Sequence, residues 1–485
     1  MLLAHKWIGA STEVASCPHT TPRVGSANTA ALGRMKGAWG EMSDWQALND
    51  EVVRHLQELL RCETPNPPGN ETIACNYLRD VLAAEGIESE IFEAVPGRGN
   101  LAARLKAANP TKPPLLLTGH VDVVTVERDR WTRDPFGGDF VDGYVWGRGA
   151  LDMKSKVAIE LTVFLELKRR NLPLDRDILF VAFADEEAGG KVGAEWMWAN
   201  HRDVVDAEYG FNEGGGQLLE INGKRFYMIQ SGEKGGARVR IIARGKPGHA
   251  SRPIDGSAMG KIGRALAKLD TWEPEVKLTA PVRAMLEIVA TAFDGVERAQ
   301  FDDVLADPSW EKIKALPLPP NTIQMLRAIT RNTAVPTIIH AGQRINVIPS
   351  EVVLDVDCRI LPGEDPDAWR DTVQAVVGDE VEVELLSRNS GIDFDPYSPL
   401  FDVIQETIDE LDPGAKVVPF LTAGGTDARH MREIKIYGFF PMSSPERTAL
   451  YSTLPHGHDE RIAAEDLHFG TKFLFDVVTK FCTAN

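Results

Sequence analysis

Three short apolar runs in this chain of 485 residues each end in side chains that can bind a metal. The runs begin at residues 115, 178 and 209, and their length is typical of strands buried on both faces of a parallel sheet. The side chains that follow them are His120, Asp185, Glu186, Glu187 and Glu213. Ligand sites in open α/β sheets collect at the carboxyl ends of the strands. The sequence therefore predicts an α/β protein with a functional site at one edge of a sheet.

The first of these strand ends carries a His-x-Asp pair. Asp122 lies two residues after His120, so the two side chains share a face of an extended segment. A carboxylate on that face can hold the second ring nitrogen of a metal-bound histidine. Asp152 ends the loop before an amphipathic helix predicted over residues 155–171. A lone histidine is more often structural than a ligand, but this combination favours a metal site.

The candidate ligands combine imidazole and carboxylate groups without a thiolate. That combination suits Zn²⁺, Co²⁺ or Mn²⁺ in a hydrolytic site. A single tetrahedral ion with an open position needs fewer ligands, whereas two ions about 3.5–4 Å apart, bridged by one carboxylate and one water, use the whole set. The candidates are His120, Asp152, Glu186, Glu187, Glu213 and either His456 or His458.

The adjacent acids Glu186 and Glu187 are predicted to have different roles. In extended backbone their side chains point in opposite directions, so they are not expected to bind metal together. One can be a ligand while the other takes a proton from water and later returns it to the leaving amine. The alternative interpretation, an acidic solvated turn, is favoured for such a pair in isolation but not beside the other candidates.

The chain is acidic and its cysteines are scattered. A formal net charge of −18 disfavours nucleic acid as a partner, because an acidic surface repels phosphate. Every apolar run is shorter than the roughly 18 residues that span a bilayer, so no membrane partner is expected. The five cysteines lack CxxC spacing, which favours a reducing compartment over a disulfide framework. We therefore predict a cytoplasmic protein.

The order of the elements predicts two domains, one of them inserted into the other. Residues 42–233 and 392–485 read as the two parts of a discontinuous α/β catalytic domain. Residues 234–391 are predicted to form a small α+β domain, because strands with one solvent-exposed face replace the fully buried strands. Within it, residues 271–333 are mostly helical, interrupted by prolines, and resemble an insertion.

Residues 1–41 show little helical or strand periodicity and are expected to be disordered or a non-native extension. The box Val14-Ala-Ser-Cys17 resembles a lipoprotein cleavage site, but His5, Lys6 and Glu13 interrupt the apolar region that a signal peptide needs. Folding is predicted to begin near Met42, where Ser43-x-x-Gln46 forms a capping box for the first helix.

The motifs GHVDVV, GRGALDMK and HGHDE together resemble the co-catalytic zinc family of aminoacylase, carboxypeptidase S, acetylornithine deacetylase, succinyl-diaminopimelate desuccinylase and carnosinase-type dipeptidases. The resemblance covers the chain from about Met42 to the C-terminus. It implies a zinc-exopeptidase-like catalytic domain, with a mixed sheet flanked by helices and an inserted α+β lid and dimerisation domain. It also implies two Zn²⁺ per subunit, with Co²⁺ or Mn²⁺ as alternatives.

The resemblance assigns a role to each residue of the predicted metal site. It implies a cis peptide bond after the bridging aspartate. Because spacing alone does not distinguish the two histidines of HGHDE, His458 remains a rival to His456. The implied roles are His120 and Glu213 as ligands of one metal, Asp122 as the group that orients His120, Asp152 as the bridging ligand, Glu186 as the general base, and Glu187 and His456 as ligands of the other metal.

Further residues are implied to act on the substrate from the lid and from a glycine-rich turn. His249 matches a histidine that reaches a neighbouring subunit's site and stabilises the oxyanion. Arg359 matches an arginine that binds the free carboxylate of the substrate. Asn346, Gly425 and Thr426 match substrate-contacting positions. The segment 271–333 is long for the family and resembles aminoacylase-like lids. Some members of the family work as monomers with an enlarged lid that supplies the histidine or its equivalent in cis, and this segment is a candidate for such an enlargement.

The resemblance implies a di-zinc hydrolase that cleaves an amide or peptide bond next to a free carboxylate. N-acyl-amino-acid deacylase, metallo-carboxypeptidase and carnosinase-type dipeptidase all fit, with an N-acyl amino acid or short peptide as substrate and a homodimer formed through the lid. A non-catalytic binding protein on the same fold is disfavoured, because Glu186 and every ligand are present. A serine hydrolase is disfavoured because G-x-S-x-G is lacking, and a cysteine hydrolase because the cysteines form no motif with a histidine.

The first prediction concerns the N-terminal segment. A protein that starts at Met42 is expected to express, fold and turn over like the full chain, because residues 1–41 contribute none of the predicted site and no apolar face. Soluble yield and specific activity of the two proteins are the measurements. Loss of solubility on truncation would show that the segment packs on the domain.

Overall fold

The apolar runs predicted as buried strands form the centre of a ten-stranded mixed sheet in the computed structural model, which describes residues 42–483. The prediction for residues 1–41 lies outside the described residues. The strands are β1 Ser89–Glu93, β2 Gly99–Leu105, β3 Leu115–His120, β4 Asp139–Val141, β5 Tyr144–Trp146, β6 Ile178–Phe183, β7 Tyr209–Gly215, β8 Leu218–Ile221, β9 Lys224–Glu233, β10 Gly235–Gly236, β11 Val239–Arg244, β12 Gly248–His249, β13 Thr333–Ala341, β14 Val347–Ile348, β15 Glu351–Ile360, β16 Glu382–Leu385, β17 Ile392–Asp393, β18 Lys416–Thr422, β19 Lys435–Phe439 and β20 Arg461–Ala463.

Helices connect these strands and cover the sheets. The helix predicted from about Ser43 is the first of them, and it begins at Met42, so Ser43 lies inside the helix. The helices are α1 Met42–Arg61, α2 Thr72–Ala84, α3 Lys154–Arg170, α4 Ala194–Asn200, α5 Arg202–Val205, α6 Ala258–Thr271, α7 Ala280–Val289, α8 Gly295–Ala306, α9 Trp310–Lys314, α10 Pro320–Ile329, α11 Pro366–Val377, α12 Pro399–Leu411, α13 Pro445–Tyr451 and α14 Ala464–Cys482. The predicted mixed sheet flanked by helices is confirmed.

The middle of the large sheet is parallel. Its strand order is β1-β2-β6-β3-β7-β19-β9-β17, and β8 and β18 also pair with β9. Strand β3 pairs in parallel with both β6 and β7, and all six of its residues are buried. His120 pairs with Phe183 at the end of β6, so the segments that follow β3 and β6 leave the sheet at the same edge. This register brings the predicted site residues together.

A second sheet has five strands. In the sequence, these strands lie between the two groups of strands that form the large sheet. The chain leaves the large sheet at the end of β9 and returns to it with β17. The second sheet contains β10, β11, β13, β15 and β16, and its described strand pairs are antiparallel. Strand β15 alternates between buried and half-buried residues, and α6 and α11 pack on its buried face. This is the α+β arrangement that the alternating pattern predicts.

The helical segment 271–333 packs on the large sheet, which differs from the expectation that it enlarges the lid. Residues of α7 and α8, including Val282 and Phe301, share one apolar cluster with Phe226 of β9 and Val418 of β18. The reason is that β9 and β18 present an apolar face at this end of the large sheet, and the amphipathic helices cover it. The segment therefore belongs structurally to the catalytic layer.

Among residues 42–483, none of the helices combines the length and the apolar character that crossing a membrane requires.

The placement of the helical segment generates the second prediction. Phe301 is fully buried and packs on Phe293 with ring centroids 5.0 Å apart. Phe301→Ala is expected to lower the free energy of unfolding by about 3–5 kcal/mol, because it leaves a cavity at the helix–sheet contact. Val296→Ala on the same helix, where the residue is 81% exposed, is the control and is expected to change it by less than about 0.5 kcal/mol. Equal effects of both substitutions in denaturant unfolding would contradict the packing.

Candidate metal centre

Asp152 stands between two groups of potential metal ligands. Its Oδ1 lies 3.1 Å from Nε2 of His120, and its Oδ2 lies 3.2 Å from Nε2 of His456. His120, Asp152 and Glu213 form one group, and Asp152, Glu187 and His456 form the other. Within each group the ligand atoms lie within 4.8 Å of one another. A carboxylate with one oxygen in each group is the arrangement expected of a bridging ligand.

The ligands come from strand ends and from loops at one edge of the large sheet. His120 ends β3, Glu213 lies near the end of β7, and Asp152 lies just before α3. Glu187 lies in a 3₁₀ turn after β6, and His456 lies in the loop between α13 and β20. Because β3, β6 and β7 are parallel neighbours, their carboxyl ends meet, and the other two ligands are added from loops at the same edge.

The peptide bond between Asp152 and Met153 is cis, as the family resemblance implies.

The structure brings His456 rather than His458 into the site. Nε2 of His456 lies 3.2 Å from Oε2 of Glu187, while Nε2 of His458 pairs with Oε2 of Glu127 at 3.0 Å in an exposed contact. His456 has a left-handed backbone with φ of 61°, so the loop turns sharply at this residue. Spacing along the sequence does not reveal such a turn.

The charges of the site fit divalent cations. Burial raises the pKa of Glu187 to about 7 and also raises the pKa of Glu213 above its ordinary value. Burial acts in the same direction on Asp152, but its contacts with His120 and His456 hold its pKa below the ordinary value. Oε1 of Glu187 is buried and has no hydrogen-bond partner among the described residues. Crowded carboxylates with a free oxygen can be neutralised by cations that bind oxygen and imidazole nitrogen.

Asp122 contacts both His120 and the 3₁₀ turn that contains Glu186 and Glu187. The atom of Asp122 closest to Nδ1 of His120 is its main-chain oxygen, at 3.0 Å, and its carboxylate Oδ1 is 3.5 Å away. The carboxylate accepts hydrogen bonds from the main-chain N–H groups of Glu186 and Glu187, at 3.1 and 3.2 Å, and from the amide of Asn66 at 2.9 Å. Burial tends to raise the pKa of Asp122, but contact with His120 and these hydrogen bonds keep it low.

Glu186 lies beside the ligand groups without being a member of them. It shares a 3₁₀ turn with Glu187, so the expectation of extended backbone at this pair is wrong. Oε1 of Glu186 lies 3.4 Å from Nη2 of Arg429. Burial and the neighbouring charge of Glu213 raise the pKa of Glu186 well above its ordinary value. A carboxyl group with a raised pKa is a stronger base than an ordinary one and can accept a proton and later release it.

Glu460 is a structural anchor that the sequence analysis did not assign. It is fully buried, and its carboxylate accepts hydrogen bonds from the main-chain N–H groups of Gly149, Leu151 and Asp152 at 2.7–3.1 Å. Nη1 of Arg148 pairs with the same carboxylate at 2.6 Å. Glu460 therefore holds two parts of the chain together, namely the loop that contains Asp152 and the segment that contains His456. The feature of the sequence that could have identified this residue is its position four residues after His456, at the end of the HGHDE motif.

Thr426 and Gly425 lie at the junction between the sheets. The main-chain N–H and the hydroxyl of Thr426 both donate to Oε2 of Glu233, the last residue of β9, at 2.8 Å. A Cβ on Gly425 would lie 2.7 Å from Nη1 of Arg429, so the arginine that contacts Glu186 passes close to this turn. The turn therefore lies near the predicted base, while Thr426 is engaged with Glu233.

Arg359 lies in the second sheet, whereas His249 and Asn346 lie in and beside a separate two-stranded sheet formed by β12 and β14. His249 and Asn346 are exposed and adjacent, because β12 pairs with β14 and Ala250 N–H donates to the main-chain oxygen of Asn346. Arg359 pairs with Asp357 at 3.1 Å. Across the described range 42–483, these three residues make their side-chain contacts locally. The structure does not bring them into the ligand groups.

Comparisons with known proteins agree with this arrangement. The sequence profile of peptidase family M20/M25/M40 matches residues 116–480. The chain is 29% identical over 393 residues to a probable carboxypeptidase S-like protein 2 of Dictyostelium discoideum, which covers 78% of this chain and 74% of that protein. It is also 29% identical over 430 residues to an N-fatty-acyl-amino acid synthase/hydrolase PM20D1 of Xenopus tropicalis, covering 84% of this chain and 80% of the relative.

The fold is also that of a solved M20 enzyme. The metallo-carboxypeptidase Sso-CP2 of Sulfolobus solfataricus superposes with a TM-score of 0.67 at 19% identity, covering 89% of this chain and 99% of that one. The profile match extends over most of the chain, including the segments that carry all five candidate metal ligands. The chain therefore belongs to peptidase family M20/M25/M40.

Proposed function

We propose that this protein is a di-zinc hydrolase that cleaves an amide or peptide bond next to a free carboxylate. The observation that carries the proposal is the position of Asp152, whose two carboxylate oxygens face two separate ligand groups. His120, Asp152 and Glu213 would hold one ion, and Asp152, Glu187 and His456 the other. When bound, two zinc ions polarise a carbonyl and lower the pKa of a water molecule.

Glu186 is proposed as the general base. It adjoins both ligand groups but belongs to neither, and Arg429 and the turn fastened by Asp122 hold it in place. It would take a proton from the attacking water at a carboxylate oxygen and return it to the nitrogen of the leaving amine. Its raised pKa supports this double role, because the carboxyl group can hold the proton between the two steps.

The substrate is proposed to be an N-acyl amino acid or a short peptide. Two relatives are named as a probable carboxypeptidase S-like protein and an N-fatty-acyl-amino acid synthase/hydrolase. A peptide and an N-acyl amino acid both present an amide bond beside a free carboxylate. Arg359, with Asn346, would bind that carboxylate when the second sheet approaches the metal centre, and Gly425 and Thr426 would contact the substrate from the junction. Bidentate pairing with a carboxylate suits a guanidinium.

We further propose a homodimer formed through the second sheet. Strand β13 pairs only along β15, so its other edge is free within the described residues, and it exposes Val335, Ile338 and Ile339 by 50–54%. An exposed apolar edge strand favours pairing with another chain. His249, also exposed on this lid, would then act in the partner's site.

The cytoplasm is the proposed location, supported by the four described cysteines, which are all free.

The third prediction separates metal binding from proton transfer. Glu186→Gln is expected to keep two zinc ions per subunit and to lose turnover of an N-acyl amino acid by at least about 10²–10⁴-fold, the usual contribution of a general base. Glu187→Gln is the contrasting variant and is expected to lower the metal content, because it removes a ligand. Metal analysis and steady-state kinetics are the measurements. If Glu186→Gln loses metal while Glu187→Gln retains it, the two roles have been exchanged.

The fourth prediction tests the action of His249 across a subunit boundary. His249→Ala is expected to lower kcat by about 10²–10³-fold with metal content intact, because one oxyanion donor is removed. Mixing it with Glu186→Ala subunits is expected to restore about a quarter of wild-type activity. About half of the dimers are hybrids after exchange, and each has one complete site. Subunit exchange demonstrated by mass spectrometry without any recovery of activity would rule out the role in trans.

A further inference from the structure

The residue directly before the proposed base has a backbone conformation that few residues adopt. Asp185 follows β6 with a φ of 72°, in the left-handed region, and the 3₁₀ turn of Glu186 and Glu187 begins at the next residue. Residues other than glycine occupy this region at a cost, although aspartate and asparagine tolerate it better than most. The direction in which Glu186 and Glu187 leave the sheet therefore depends on the contacts that hold Asp185 in this conformation.

The buried carboxylate of Asp185 accepts hydrogen bonds from three donors. Its Oδ1 accepts from Nη2 of Arg98 at 2.9 Å and from Nδ2 of Asn66 at 3.1 Å. Its Oδ2 accepts from the main-chain N–H of Val192 at 3.2 Å. Hydrogen bonds to an ionised group are stronger than those between neutral groups, and leaving a buried carboxylate without them is costly. These contacts therefore fix the start of the turn.

Arg98 is itself held by a second buried carboxylate. Its Nε and Nη2 donate to the two oxygens of Glu71 at 2.6 and 2.7 Å, and Nη2 also donates to Asp185. The side chain of Glu71 is fully buried. A Cβ on Gly69 would lie 2.2 Å from Nε of Arg98, so the loop before α2 packs directly against the guanidinium group. The planar guanidinium therefore has a fixed position, from which it holds Asp185.

Asn66 connects Asp185 to the other acid beside the turn. Its Nδ2 donates to Oδ2 of Asp122 at 2.9 Å as well as to Asp185. Asp122 in turn accepts hydrogen bonds from the main-chain N–H groups of Glu186 and Glu187. The turn is therefore attached at two points, at the side chain of Asp185 before it and at its own N–H groups.

We propose that Arg98 is a positioning residue of the reaction, which holds the turn of Glu186 and Glu187 through its ion pair with Asp185. The inference rests on the proposed function and adds a group outside the metal centre on which the geometry of that centre depends. Within residues 42–483, the ion pairs of Arg98 are with Glu71 and Asp185, and neither is a candidate metal ligand. Arg98 therefore acts through the turn and not on the substrate.

The first test compares Arg98→Ala with a matched substitution at the other end of the same two strands. Arg104 of β2 pairs with Asp177, just before β6, at 2.6 Å, so Arg104→Ala removes a similar ion pair away from the turn. The probes are N-acetyl-L-phenylalanine and glycyl-L-phenylalanine at saturating zinc. Arg98→Ala is expected to lower kcat by about 10–10²-fold and to change KM by less than about threefold, because a displaced base slows the reaction without removing a substrate contact. Arg104→Ala is expected to keep both constants within about twofold of wild type.

Zinc retention tests the same arrangement without turnover. Each zinc-loaded protein is titrated with a chelator, and the zinc that stays bound is measured by metal analysis. Arg98→Ala is expected to release one of its two zinc ions at a chelator concentration about 10–100-fold lower than wild type, because the turn also contains the ligand Glu187. If kcat and zinc release are the same in Arg98→Ala and Arg104→Ala, the inference is overturned. If the wild-type protein hydrolyses neither probe, the proposed function fails, and the zinc titration still decides the inference.

Chemical rescue separates the loss of the ion pair from a general loss of structure. Guanidinium chloride at about 20 mM, well below denaturing concentrations, is expected to raise kcat of Arg98→Ala by at least about fivefold. Methylammonium chloride at the same concentration is the control and is expected to leave kcat unchanged, because it lacks the planar fork that pairs with both carboxylates. Equal effects of the two salts would contradict the ion pair as the cause.

A second variant keeps the test decisive if Arg98→Ala does not fold. Asp185→Asn retains a residue that tolerates a left-handed backbone but removes the charge, so it is expected to lower kcat as Arg98→Ala does. The double variant is expected to be at most about threefold slower than either single variant, because both substitutions break the same contact. Wild-type kcat in Asp185→Asn, or effects that multiply in the double variant, would overturn the inference.

Discussion

The shared carboxylate of Asp152 is the contact on which the rest of the site depends. Its two oxygens face histidines from distant parts of the chain, so a small rotation of this side chain would separate the two ligand groups. Glu460 limits that rotation, because its buried carboxylate holds three main-chain N–H groups of the Asp152 loop as well as Arg148. Hydrogen bonds to a buried ionised group are strong and costly to break. Glu460 therefore keeps the bridging carboxylate of Asp152 in a fixed position relative to the C-terminal segment.

A second constraint is the concentration of negative charge at the strand ends. Burial raises the pKa of Glu187 and Glu213, which shows that the folded protein accepts these carboxylates at a cost in free energy. Cations bound between them would offset that cost, and metal binding would then be coupled to the stability of the folded state. The turn fastened by Asp122 keeps Glu186 outside the ligand groups. One acid can therefore remain available for proton transfer while its neighbour binds metal.

The metal centre and the cavity of about 630 Å³ that adjoins Asp152 and Glu213 are built from different kinds of structure. The ligands come from the ends of buried parallel strands and from loops anchored by hydrogen bonds, where small displacements would disrupt the geometry. The cavity wall instead includes side chains of α10 and of an apolar cluster, where residues of similar volume can be exchanged at a modest cost in stability. This division would allow the cavity to vary in shape while the metal centre stays unchanged.

By itself the sequence determined which residues meet at the sheet edge, because short apolar runs identify parallel strands and the carboxyl ends of neighbouring parallel strands coincide. His120, Glu187 and Glu213 follow from that rule, and so does the α/β fold. Only the tertiary structure decided between His456 and His458, since the choice depends on a left-handed turn at His456. It also decided where the helices of residues 271–333 pack. Amphipathic periodicity shows that a helix has an apolar face, but not which apolar surface that face will cover.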